Sequence, residues 1–161
     1  LPPRRGASAV WDLIRHVTTF KPSRKGTDLT EALTYLGRVH PKRSVVFLIS
    51  DFLSSGCEGA LKVASRRHDL IGIHITDPAD GRLPQGGIVT LQDLESNAFF
   101  EADAGDPKVR RFYEERHRKR QEHICRVLHR SGVDRLEMST TDSVGDVLLR
   151  FFSLRERRRV S

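Results

Sequence analysis

Five consecutive large apolar residues, Val45-Val46-Phe47-Leu48-Ile49, stand between Ser44 and Ser50 with no turn-forming residue among them. A run this short is a strand, and its lack of polar alternation predicts burial on both faces, as in a parallel sheet. A parallel strand needs a crossover and a second strand beside it. Both follow in the sequence: a helix is expected from about Glu58 to Arg67, then a strand over Asp69 to Thr76 (D-L-I-G-I-H-I-T). The three pieces read as a right-handed βαβ unit, and each strand is followed by an aspartate, Asp51 and Asp77.

The flanking segments extend the same alternation. A helix is expected from about Ser8 to Thr19, with Ser8 as its cap and Trp11, Ile14 and Val17 at helical spacing. The next helix starts near Asp28, where Asp28-x-x-Glu31 has capping-box spacing and Thr27 is the alternative cap. Leu29, Leu33 and Leu36 form its apolar face, and Pro41 stops it. Beyond the loop from Asp77 to Gly87, Ile88–Leu91 and Ala98–Glu101 look like a hairpin turning near Glu95-Ser96-Asn97. Asp106 and Pro107 open a long helix to about Ser131. A third parallel-type strand spans Asp134 to Ser139, and Val144, Val147, Leu148, Phe151 and Phe152 mark an amphipathic final helix. The fold class is α/β, a doubly wound, Rossmann-like, mainly parallel sheet with a β-hairpin insertion. The 161 residues fit a single domain, with 155–161 as a basic tail expected to fray.

Charge narrows the partners. Lys and Arg number 28 against 21 Asp and Glu, a net +7, which admits nucleic acid as a ligand. No aromatic or glycine-rich RNA motif accompanies the charge, so a solvated basic surface is the favoured explanation. The stretch from Glu114 to His123 (E-E-R-H-R-K-R-Q-E-H) contains no apolar residue. It is either a solvent-facing helix or a basic partner-binding face centred on Arg116, Lys119 and Arg120. Cys57 and Cys125 are isolated and lack zinc-ligand spacing, so free thiols in a reducing, cytoplasmic setting are expected. No apolar run reaches the ~18–20 residues that span a bilayer. The chain begins at Leu1 rather than Met, so a longer parent, membrane-anchored or not, is expected.

Chemistry in open α/β sheets gathers beyond the carboxyl ends of the strands. That places weight on Ser50-Asp51-Phe52, on Thr76-Asp77, and on the loop Gly26-Thr27-Asp28-Leu29 entering a helix. For each the plain reading is turn or helix capping. The functional reading joins Thr27 and Asp51 as hard-oxygen ligands of one cation. No G-x-S-x-G, P-loop or Cys/His dyad is present. Phosphoryl transfer at Asp51 lacks a lysine and an acidic pair in matching places, so no enzyme activity is expected.

These residues also carry a resemblance. Gly26-Thr27-Asp28-Leu29, Val46-Phe47-Leu48-Ile49-Ser50-Asp51-Phe52, Arg67-His68-Asp69-Leu70, Asp77-Pro78, Leu83-Pro84 and Asp106-Pro107-Lys108-Val109-Arg110 occur in an order that resembles the bacterial domain-of-unknown-function family numbered fifty-eight. So does the opening Leu1-Pro2-Pro3-Arg4-Arg5-Gly6. That family is similar to von Willebrand factor A domains. The resemblance implies a non-enzymatic protein-interaction module, partnership with a MoxR-type AAA+ ATPase, and a metal-ion-dependent adhesion site holding Mg²⁺. In such a site Thr27 matches the threonine ligand and Asp51 the aspartate ligand, and Asp28, Ser50 and Phe52 are candidate partner contacts. A basic nucleic-acid-binding domain is the alternative.

The resemblance is incomplete at one point. The Asp-x-Ser-x-Ser loop that carries the remaining ligands in von Willebrand A domains occurs nowhere in this sequence. By that layout the N-terminal strands are missing, the domain is partial, and the Val45–Ile49 strand is left with an open edge. Two hard-oxygen contacts hold Mg²⁺ poorly. Calorimetric titration of the 161-residue chain with Mg²⁺ or Mn²⁺ is therefore expected to give no tight site; a sharp isotherm would reverse that reading.

Overall fold

A computed structural model describes residues 6–21, 26–92 and 98–160, with backbone only for 158–160. The leading Leu1–Arg5 segment, part of the loop after Lys21, and the expected hairpin turn at Glu95-Ser96-Asn97 lie outside the described residues. The elements are α1 (Ala7–Thr19), α2 (Leu29–Val39), β1 (Val45–Ser50), α3 (Glu58–Arg67) and β2 (Asp69–Thr76). A 3₁₀ turn (Pro78–Gly81), β3 (Ile88–Gln92), β4 (Phe99–Asp103), α4 (Pro107–Arg130), β5 (Asp134–Ser139) and α5 (Val144–Val160) complete them.

The chain is a mixed α/β fold on a three-stranded parallel sheet of order β1-β2-β5. Val45 pairs with Asp69 and Ser50 with His74, and Ile71 pairs with Asp134 and Thr76 with Ser139. β3 and β4 form a separate antiparallel hairpin, inserted between β2 and α4. β2 is central and buried on both sides, which its sequence of alternating Ile with Leu70, Gly72 and His74 permits. One face of the sheet packs against α2, α3 and α4 through Leu33, Leu61, Ala64, Ile124 and Leu128. On the other, Ile71, Ile73, Leu136 and Met138 meet Val147, Leu148 and Phe151 of α5. Each fully buried aliphatic side chain of this kind contributes about 1.5–3 kcal/mol.

Capping follows the sequence at two helices. Asp28 accepts a hydrogen bond from the Glu31 amide at 2.8 Å, and Asp106 accepts one from Lys108 at 2.8 Å ahead of Pro107. At α1 the expectation fails. Gly6 holds the N-cap position, with φ of 96°, and no side chain caps the helix, so Ser8 lies inside it. The Trp11, Ile14 and Val17 face exists but stays exposed, at 66%, 45% and 66%.

β1 also departs from expectation. Val46 and Leu48 pack inward, yet Val45, Phe47 and Ile49 are 55%, 45% and 64% exposed. The cause is position: β1 is a sheet edge, and α5 packs on its neighbours β2 and β5, with Phe152 meeting Phe47 edge-on at 6.3 Å. Among the described residues no strand pairs with its outer edge.

The C-terminal charge run continues as helix rather than fraying at its start. The Arg155 guanidinium bonds Asp134 at 2.7 Å and also Asp69, the first residues of β5 and β2. It is 17% exposed, and these carboxylates hold its pKa above the ordinary arginine value. Arg155→Ala is expected to lower unfolding free energy by about 1–2 kcal/mol, reduced for partial solvent screening. Arg155→Lys, which keeps the charge but not the fork, should fall between. An unchanged urea midpoint in both variants would show that the two ion pairs contribute nothing.

Candidate functional site

The carboxyl ends of β1 and β2 share one rim. Thr30, in the first turn of α2, donates to the Gly56 carbonyl at 3.5 Å, which sets the α2 N-terminus beside the loop that follows β1. Thr27, just ahead of α2, and Asp51, just after β1, are both exposed. Asp28 is occupied as the α2 cap.

The turn after β1 is tightly specified. Phe52 adopts a left-handed backbone, with φ of 55°, rare for a residue other than glycine. Its amide donates to the Ser50 hydroxyl at 3.0 Å, while the Asp51 carboxylate accepts from the Leu53 amide at 3.2 Å and the Ser50 hydroxyl at 3.4 Å. The turn sends the Phe52 ring inward, 7% exposed, and leaves Asp51 at the surface. Phe52 is thus a core residue, not the partner contact suggested by the sequence, and Ser50 serves the turn. Asp77 is likewise a turn residue: it accepts from the Ala79 amide at 2.8 Å and the Thr140 hydroxyl at 3.1 Å.

Beside Asp51 a cavity of about 550 Å³ opens between the strand ends, the β3–β4 hairpin and α4. Its wall includes Asp51, His74, Tyr113, Arg116, Arg120 and Gln121. His74 is 1% exposed and stacks edge-on to Phe52 at 5.9 Å. Burial, and secondarily the Arg135 charge, push its pKa below 6.5, with Glu137 and Asp51 opposing. The pocket was not legible in the sequence, because the hairpin and α4 that wall it are distant from β1 along the chain. His74 is packed within the sheet and also lines the cavity.

The basic stretch of α4 divides in two. Arg118 bonds Glu115 at 2.7 Å and also Glu122, while Lys119 lies 3.4 Å from Glu115. Arg116 and Arg120 have no carboxylate partner among the described residues, and Arg116 sits 5.8 Å above the Phe112 ring. Among the described residues no three His, Cys, Asp or Glu side chains are grouped to hold a metal. Both cysteines are free thiols, Cys57 buried and Cys125 exposed. No helix among the described residues is long and apolar enough to cross a membrane.

Comparison with known proteins places this architecture in a bacterial family. The family model described as "Protein of unknown function DUF58" matches residues 1–123, and the chain belongs to that family. It is 29% identical over 161 aligned residues, 98% of its length, to uncharacterized proteins Mb1516 of Mycobacterium bovis and Rv1480 of Mycobacterium tuberculosis. The chain spans about half the length of these relatives, 50% of each. It covers 94% of uncharacterized protein MAV169 of Mycobacterium avium, also at 29% identity. No solved structure matches significantly.

The neutral state of His74 carries a testable consequence. Below pH 6.5 the unfolded chain takes up a proton on this imidazole before the folded chain does, so stability falls as pH drops through that window and is regained above it. Urea denaturation between pH 7 and 5 is expected to show this loss, and His74→Leu should remove that part of the slope. Parallel slopes in the two proteins would exclude His74 as the source.

Proposed function

We propose that the chain is a non-enzymatic protein-interaction module of the von Willebrand A type, in which Thr27 and Asp51 contribute two ligands to a metal-ion-dependent adhesion site. Its partner in this reading is a MoxR-type AAA+ ATPase. The observation that supports the reading is the docking of the α2 N-terminus against the loop after β1, since these are the two segments that carry the exposed Thr27 hydroxyl and the exposed Asp51 carboxylate. The outer edge of β1, unpaired among the described residues, supports it too, since a strand bearing the absent Asp-x-Ser-x-Ser loop would pair there.

The donor set sets a limit. One hydroxyl and one carboxylate do not make a Mg²⁺ site, which prefers six oxygens in octahedral geometry. The remaining ligands must come from outside these 161 residues, and the doubled length of the Mycobacterium bovis and Mycobacterium tuberculosis relatives leaves room for them. The nucleic-acid alternative rests on the net charge of +7. It is the weaker reading because Arg118 and Lys119 are already engaged by Glu115 and Glu122, which spends part of the basic face within the helix.

The test is capture of the purified ATPase by the parent protein at full length. Binding measured by surface plasmon resonance in Mg²⁺ should fall at least about tenfold in Asp51→Ala, the scale of one lost charge-assisted contact. It should fall likewise in EDTA. Equal binding by the wild type, the variant and the EDTA-treated protein would overturn the proposal.

A further inference from the structure

The outer edge of β1 presents open backbone and open apolar side chains on the same residues. The Asp69 amide donates to the Ser44 carbonyl at 2.8 Å, so the backbone of Ser44 points to β2. Direction alternates along a strand. Val46 and Leu48 therefore also turn their backbone groups to β2, and Val45, Phe47 and Ile49 turn theirs outward. Among the described residues no strand receives them. The side chains of the same three residues are 55%, 45% and 64% exposed, on the face where Phe152 of α5 meets Phe47. Such an edge is a template for another strand, and contiguous exposed apolar surface marks a site of association.

The charges that flank the strand select which strand fits. Arg43 lies two residues ahead of Val45 and Asp51 directly follows Ser50. Both are exposed, and neither has an oppositely charged partner among the described residues. Consider a second β1 laid antiparallel about a two-fold axis at Phe47. Phe47 then faces Phe47, Val45 faces Ile49, and Arg43 faces Asp51 of the second copy. Residues opposite one another in an antiparallel pair share a face, and aromatic, apolar and opposite-charge pairs there are each stabilising. A register centred on Leu48 instead sets Val45 against Asp51. A parallel copy in register sets Arg43 beside Arg43 and Asp51 beside Asp51, which is repulsive.

We infer that the chain forms a two-fold dimer through β1, an antiparallel pairing centred on Phe47 that joins two sheets into one of order β5-β2-β1-β1-β2-β5. A two-fold contact is self-complementary and closed, so both edges are consumed and association stops at two copies. The inference does not rest on the adhesion-site reading. In that reading a strand of the longer parent takes this edge, and the two occupants exclude each other. The dimer needs neither a metal nor a second protein, so either idea can fail alone.

Sedimentation velocity of the 161-residue chain, from about 1 to 100 μM, tests it. A species of two copies is expected toward the upper end of that range, in EDTA as in Mg²⁺, with nothing larger. Phe47→Lys, at a half-exposed site, sets like charges opposite each other at the axis. It should weaken the dimer about tenfold or more with the circular dichroism spectrum unchanged. Arg43→Asp and Asp51→Arg should each weaken it about threefold or more. Combined, they should restore it, because exchanging the signs keeps the pair in this register. A monomer throughout, growth beyond two copies, a dimer that survives Phe47→Lys, or a double variant no tighter than its singles would each overturn the inference. So would a dimer lost in Trp11→Glu but kept in Phe47→Lys, which would assign the contact to α1.

Discussion

The Phe52 ring lies across Gly72 of β2, where a Cβ would come 3.2 Å from its Cζ, and meets His74 edge-on. This contact requires the chain to reverse immediately after β1, and the left-handed conformation of Phe52 is how it does so. Left-handed backbone costs a residue with a Cβ about 1–2 kcal/mol, whereas losing a buried phenyl ring costs about 3–5 kcal/mol. The ring wins, so the core holds the strained turn in place. Asp51 is exposed because its neighbour is not. Gly72 is the counterpart in the central strand: its missing side chain is the space the ring fills, with Val133 and Leu128 closing the other sides.

The βαβ unit was readable because its signals are local. The Val45–Ile49 run, the helix from Glu58 to Arg67 and the strand from Asp69 to Thr76 need only nearest-neighbour chemistry, and the structure has them within a residue of expectation. The caps at Asp28 and Asp106 were legible for the same reason. What misled was burial. Five apolar residues predict two covered faces only if the strand is interior, and nothing in the run tells that β1 is an edge. The face of α1 at Trp11, Ile14 and Val17 has the right spacing, but periodicity cannot supply a surface for it to meet. At the rim, Asp51 and Thr27 were visible as residue types, while the inward turn of Phe52 depends on a backbone angle that sequence pattern does not encode. The cavity beside them is assembled from β1, β2, the hairpin and α4, so no window of the sequence contains it.

Charge along α4 looked uniform in the sequence and is not. Glu115 serves both Arg118 and Lys119, and the partnership holds its carboxyl below the ordinary glutamate range. Arg116 and Arg120 instead line the cavity, so helical phase separates the cations paired within the helix from those on the cavity side. The same phase bears on the ten-residue apolar gap: that length of α4 runs along the cavity through Arg116, His117, Arg120 and Gln121, and its apolar anchors resume at Ile124 and Leu128, where it meets the sheet again.

The bridge from Arg155 to Asp69 and Asp134 stands at the amino ends of β2 and β5, the opposite end of the sheet from the rim. The two ends of the molecule are thus secured by different forces, ionic contact at one and aromatic packing at the other. Added salt weakens the first by shortening the Debye length and leaves the second nearly untouched. Ionic strength therefore acts on this fold as a directional lever: it slackens the seat of α5 while the Phe52 turn, and everything aligned by it, keeps its shape.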